Sequence, residues 1–251
     1  MRRPVLAFVH GWGQAAQTWH AQADYFAAHH EVRVLSLPGH GGAADLPVEA
    51  WDDFLLAELQ DTPVVLVGWS LGGMLALRLA SRNPQRLSGL VLVSTTPCFR
   101  QRPGWEYACA DEMFERFQAS LEADAPRLLD RFFALMLQGD GLNRKQYLDV
   151  VRHAVDRHRP ASPKGLRGGL QLLDQLDLRA EIFDIHVPAL VVHGAADAVT
   201  PLGAAQFLAE RMPAATLRIM QSGHAPHLTR PQEFNQLVEE WCLNNISTHA
   251  R

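Results

Sequence analysis

The sequence predicts an α/β domain, a mostly parallel β-sheet covered by helices on both faces and interrupted by a helical insertion. Three observations carry this. Short continuous apolar runs alternate with helical patterns, as expected for strands buried on both faces of a parallel sheet. One such run, Val64-Val65-Leu66-Val67, passes through Gly68-Trp69-Ser70-Leu71-Gly72 directly into a largely apolar helix. Between residues 98 and 179 strand-like runs disappear and helical spacing dominates. The expected plan is a core formed by residues 1–97 and 180–251, with 98–179 inserted as a helical lid.

The 251 residues suit one such domain, and an apolar share of 47% suffices for its core. A net charge of −4 gives no whole-protein case for nucleic acid or an anionic membrane surface. No span reaches transmembrane length. The apolar stretch after Met1-Arg2-Arg3 ends at His10-Gly11, too short for a signal peptide. Cys98, Cys109 and Cys242 form an odd, unpatterned set, so neither a disulfide framework nor a zinc site is indicated. A monomer in the cytoplasm is the expectation.

Val5–Val9 reads as the first strand and ends in His10-Gly11-Trp12-Gly13, a turn able to present a backbone N–H. Trp19, Ala23 and Phe26 mark a helix around 15–29, and Val32–Leu37 is the next strand, ended by Pro38-Gly39-His40-Gly41-Gly42. Trp51–Leu59 is amphipathic. At the Gly-x-Ser-x-Gly turn the serine must adopt a strained backbone that lifts its hydroxyl out of the sheet. The flanking glycines let strand and helix approach closely. The N–H groups of Trp12 and Leu71 are then the expected oxyanion donors. Pro84 stops the following helix, and Gly89–Val93 is another buried strand.

Within the insertion, Met113, Phe114, Phe117 and Leu121 recur at helical spacing, as do Leu128, Leu129, Phe132, Phe133, Leu135 and Met136. Pro126, Gly139-Asp140-Gly141 and Pro160-Ala161-Ser162-Pro163 punctuate them. Phe132, Phe133 and Met136 are candidates for an acyl pocket, although their helical spacing favours ordinary lid core for most of them. Residues 127–167 carry nine basic side chains against four acidic ones, on an otherwise acidic protein. That imbalance suits either an anionic partner or a solvated helix face.

The sheet resumes at Val187–Val192, followed by Asp197. Helix 201–211 and strand 216–220 precede His224, and a last helix spans about 231–244. Asp197 and His224 thus stand just past strand ends, on the edge where Ser70 emerges. The order Ser…Asp…His completes a nucleophilic triad of the α/β-hydrolase type. Ser70 attacks a carbonyl, His224 takes its proton and Asp197 holds the imidazole. This chemistry needs no metal or organic cofactor.

On these residues the chain resembles the α/β-hydrolase superfamily. More narrowly it resembles the pimeloyl-acyl carrier protein methyl ester esterases of biotin synthesis, through Trp69, Thr96-Pro97-Cys98-Phe99, Gly168-Gly169-Leu170, Asp177-Leu178-Arg179 and His224-Ala225-Pro226. The resemblance implies a serine carboxylesterase that releases methanol from pimeloyl-acyl carrier protein methyl ester. It assigns Trp12, Leu71 and Phe132 to oxyanion and substrate contacts, and Arg127, Arg131 and Arg144 to the acidic carrier. The chain departs from the family in three places. It begins almost at the His-Gly-Trp-Gly strand, so N-terminal edge strands are expected to be missing. Leu148 stands where a further lid arginine is usual, and His227 replaces an apolar residue and is expected in an exposed loop. Two other readings remain open: a generalist short-chain carboxylesterase without carrier recognition, and a non-catalytic receptor on the same scaffold.

Overall fold

The computed structural model describes residues 3–246. One sheet holds β1 (Val5–Val9), β2 (Val32–Leu35), β3 (Val64–Trp69), β4 (Leu87–Val93), β5 (Ala189–Gly194) and β6 (Ala215–Met220), in the order β2-β1-β3-β4-β5-β6. Every pairing is parallel, so the sheet is all parallel rather than mostly so. β1, β3 and β5 are buried along their whole length, which is why they read as unbroken apolar runs. The outer strands β2 and β6 are only partly covered and carry Arg33 and Arg218. β1 lies inside the sheet, and no strand precedes it among the described residues.

The expected helix over 15–29 is shorter: a 3-10 turn at Ala16–Trp19 leads into α1 (His20–Ala27). α2 (Trp51–Leu59) and α3 (Leu71–Arg82) follow β2 and β3. The chain steps one way from β1 to β2 and the other way from β2 onward. Right-handed crossovers therefore place α1 on the face opposite α2 and α3.

Between β4 and β5 lie α4 (Asp111–Met136), α5 (Arg144–Ala154) and α6 (Pro163–Gln175). α4 is two helices joined at Asp124, whose backbone is extended (ψ 81°). Asp124 Oδ1 accepts the Arg127 N–H at 3.1 Å, capping the second half. Pro126 falls in that half's first turn, where a missing N–H costs little. The segment leaves and returns at one place. Cys98 bridges Asp177, and the Leu178 N–H donates to Pro97 O at 2.8 Å.

Beyond it, α7 (Leu202–Arg211) packs on β5 and β6. α8 (Pro226–Thr229) and α9 (Pro231–Asn245) close the chain. α9 packs against α1 and buries Phe234, Val238 and Trp241 in the core. No helix among the described residues is long and apolar enough to cross a membrane.

Candidate active site

Ser70 joins β3 to α3 with φ 54° and ψ −118°, a conformation that L-residues rarely adopt. Its surroundings enforce it. A Cβ on Gly68 would stand 2.4 Å from Gly72 O, and one on Gly72 would stand 2.5 Å from Val9 O. Only glycine allows β1, β3 and α3 to meet so closely. The Ser70 N–H donates to Val93 O at 2.9 Å, and the Thr95 hydroxyl donates to Ser70 O at 2.7 Å.

The turn after β1 packs on the serine: a Cβ on Gly11 would lie 3.2 Å from Ser70 Cβ. Two buried histidines shape it. His10 Nδ1–H donates to Gly11 O at 2.8 Å, and its Nε2 accepts the Leu37 N–H at 3.0 Å. His40 Nδ1–H donates to Pro38 O at 2.9 Å, and its Nε2 accepts the Gly13 N–H at 3.3 Å. Burial, with the neighbouring His40, pushes His10 down to about 3, and burial pushes His40 down to about 4, so both act as neutral spacers. The N–H groups of Trp12 and Leu71 donate to no other backbone group among the described residues. Leu71, as the first residue of α3, has no acceptor within its helix.

Asp197 follows β5 and His224 follows β6, and both side chains are fully buried. His224 Nδ1–H donates to Asp197 Oδ2 at 2.8 Å. Asp197 Oδ1 accepts the N–H groups of Val199 and Thr200 at 2.8 and 2.9 Å, and Oδ2 accepts the Thr200 hydroxyl at 2.8 Å. His193 Nε2 stands 3.2 Å from Oδ2 while donating to Thr200 O. Burial opposes ionisation of Asp197, but His224, His193 and the Thr200 N–H outweigh it and hold the carboxyl at about 2. The His224 main chain is fixed twice: its N–H donates to Met136 O at 2.8 Å, and its carbonyl accepts Trp69 Nε1–H at 2.9 Å. Trp69, the residue before Ser70, thereby ties the histidine loop to the nucleophile turn. His224 Nε2 is buried and makes no hydrogen bond, so its lone pair is unspent. Ser70 and His224 are brought to one edge, but His224 Nε2 and the Ser70 hydroxyl are not hydrogen-bonded in this structure.

The inserted segment closes over this edge. Phe132 lies edge-on to Trp12 with ring centres 5.4 Å apart, and Phe117 lies edge-on to Phe132 at 5.3 Å. Trp12 Nε1–H donates to Leu166 O at 2.9 Å. A Cβ on Gly169 would stand 2.6 Å from Trp12 Cδ1 and 3.1 Å from Leu71 Cδ2, so α6 crosses directly above both. That contact gives Gly168-Gly169-Leu170 a physical reason.

Arg127 and Arg131, one turn apart on α4, and Arg144, at the start of α5, are all exposed. None ion-pairs among the described residues, whereas Arg152, Arg159 and Arg167 do. Arg144, Lys145, Leu148, Asp149 and Arg152 line a shallow groove of about 470 Å³ along α5, with Leu148 47% exposed.

One expectation fails. His227 is fully buried rather than exposed. Its ring stacks on Trp19 at 4.1 Å and meets Trp69 edge-on at 4.6 Å, and neither nitrogen has a partner. Sequence reading also missed Thr95, His193 and Thr200. Only Thr200 left a signal, as the hydroxyl residue three places after Asp197, a helix-cap spacing.

A model of the alpha/beta hydrolase family matches residues 6–237. The pimeloyl-[acyl-carrier protein] methyl ester esterase of Aromatoleum aromaticum is 42% identical, over 96% of this chain and 98% of that protein. The protein of the same name from Nitrosomonas europaea is 34% identical over 92% of each. Among solved structures, an esterase from Exiguobacterium antarcticum superposes with a TM-score of 0.84 at 23% identity, over 96% of this chain and 92% of that one.

Proposed function

The chain belongs to the alpha/beta hydrolase family, and we propose that within it the protein hydrolyses the methyl ester of pimeloyl-acyl carrier protein. One observation carries the chemistry. The Asp197–His224 pair is buried, hydrogen-bonded and has a free Nε2 at the edge where Ser70 is held in its strained turn. The substrate follows from the names of the full-length relatives.

Each step uses groups already described. Ser70 Oγ attacks the ester carbonyl as its proton passes to His224 Nε2, and the imidazolium is stabilised by Asp197. The N–H groups of Trp12 and Leu71 receive the tetrahedral oxyanion. Losing one such donor typically costs about 3–4 kcal/mol. His224 then protonates the leaving methoxide as methanol departs, leaving the acyl on Ser70. Water, deprotonated by His224, resolves that ester and restores the serine. The inserted residues 98–179 serve as the lid: Phe132 lines the acyl path beside Trp12, and Arg127, Arg131 and Arg144 meet the acidic carrier.

The chemistry is tested by treating the protein with a fluorophosphonate and locating the adduct by mass. The adduct is expected on Ser70, and Ser70→Ala is expected to stop methanol release from the carrier-bound methyl ester. Methanol release by the alanine variant at the wild-type rate would contradict the assignment.

A further inference from the structure

The turn that ends α4 makes contacts which the steps above leave unused. It runs between the loops bearing Asp197 and His224. Met136 O accepts the His224 N–H at 2.8 Å. Gly139, at φ 91°, lies on the other loop, where a Cβ would stand 2.5 Å from Ala196 Cβ. Gly223, just before His224, is packed so tightly that a Cβ would stand 2.5 Å from Gln138 O and 2.8 Å from Asp140 Oδ2.

Asp140 closes this contact. Its Oδ1 accepts the hydroxyl of Thr229 at 2.7 Å, and Thr229 ends α8, the short helix after His224. Its Oδ2 is buried against Gly223 without a hydrogen bond of good geometry. Burial raises the pKa of Asp140; the Thr229 hydroxyl, the Gly223 N–H and Arg230 oppose that rise, and Asp197 adds to it. A half-satisfied carboxylate destabilises a fold, and such groups concentrate where geometry serves function.

We propose that Asp140 is a positioning residue for ester hydrolysis: through Thr229 and Gly223 it holds the His224 loop in register with Asp197 and Ser70. It touches neither substrate nor reacting atoms. The proposal rests on the reading of His224 as the base for Ser70. Proton transfer demands that Nε2 be placed to a fraction of an ångström, so a small drift of this loop lowers turnover without altering the acyl site. Asp140 also lies just beyond the helix that carries Arg127 and Arg131, so its bond to Thr229, beside that of Met136 O to the His224 N–H, joins this segment to the His224 loop.

The test compares Asp140→Ala, Asp140→Asn and Thr229→Val by steady-state kinetics on p-nitrophenyl acetate, with thermal midpoints, beside Ser70→Ala and His224→Ala. Asp140→Ala and Thr229→Val are expected to lower kcat about tenfold to a hundredfold with KM within about twofold. Asp140→Asn keeps an oxygen for Thr229 and is expected to recover most of the loss. Thr229→Val is nearly isosteric and reports even if Asp140→Ala does not fold. Wild-type kcat in folded Asp140→Ala and Thr229→Val, a change confined to KM, or no recovery in the asparagine variant would overturn the proposal. If Ser70→Ala and His224→Ala abolish turnover while Asp140 and Thr229 variants leave kcat unchanged, positioning alone fails. If those two controls stay active, the reading beneath it fails.

Discussion

The strand ends that hold Ser70, Asp197 and His224 are built unlike the segment that covers them. At the strand ends hydrogen bonds fix the Ser70 main chain, the Asp197 carboxylate and the His224 main chain, and the spacing tolerates no Cβ at Gly68 or Gly72. On α4 and α5, Arg127, Arg131 and Arg144 are exposed and make no ion pair among the described residues, and Leu148 is exposed on α5. The first region is preorganised for bond making, which requires fixed dipoles in a buried site. The second holds charge in water, where it is worth little until an oppositely charged surface arrives. Under the proposed function, reaction type and substrate choice belong to separate parts of the chain.

Substitutions sharpen that division, beginning with the largest effect. Asp197→Asn would turn an amide toward His224 Nδ1 and favour the wrong tautomer. It is expected to lower kcat about 10⁴-fold on carrier-bound and free esters alike. Equal loss on both substrates is the signature of the core, and a loss confined to one would break the comparison. Gly72→Ala forces a Cβ to within 2.5 Å of Val9 O. A destabilisation of about 3 kcal/mol or more is expected by denaturant titration, because backbone on both sides cannot yield. An unchanged midpoint would show that the elbow has slack.

This division also governs what could be read in advance. The places of Ser70, Asp197 and His224 just past strand ends were legible because each follows an apolar run, and β1, β3 and β5 because both of their faces are buried. The break in α4 was legible at Pro126, although its cap, Asp124, was not. Met136 O and Val93 O were invisible, since a backbone acceptor leaves no mark on residue identity. His227 was misread because Trp19 and Trp69, which enclose it, lie far away in sequence. Whether Arg127, Arg131 and Arg144 are free depends on distant acids, which is a property of the fold.

Acid should act on the strand ends before the insertion. His10 and His40 are neutral when folded, with pKa values of about 3 and 4, against about 6.5 unfolded. The unfolded chain then binds more protons below about pH 6.5, so stability falls as pH falls. Each such histidine contributes about 1.4 kcal/mol per pH unit until its folded pKa is reached. Asp197, held at about 2, adds its loss only below about pH 4. Thermal midpoints from pH 7 to 4.5 should therefore decline steadily, and a flat profile would contradict the buried neutral state. His227 is also lowered by burial, with both nitrogens unpartnered. His227→Phe should raise stability by about 1–2 kcal/mol at neutral pH and lessen the acid slope. Destabilisation would indicate that the imidazole has a partner.

The separation of reaction from selection is tested most directly by kcat/KM on methyl pimeloyl-carrier and on a free short-chain methyl ester. Wild type would be compared with a variant carrying alanine at Arg127, Arg131 and Arg144. The expected result is a drop of about tenfold to a hundredfold on the carrier substrate, smaller in high salt, with the free ester unaffected. An equal drop on both esters, or none on the carrier substrate, would contradict it.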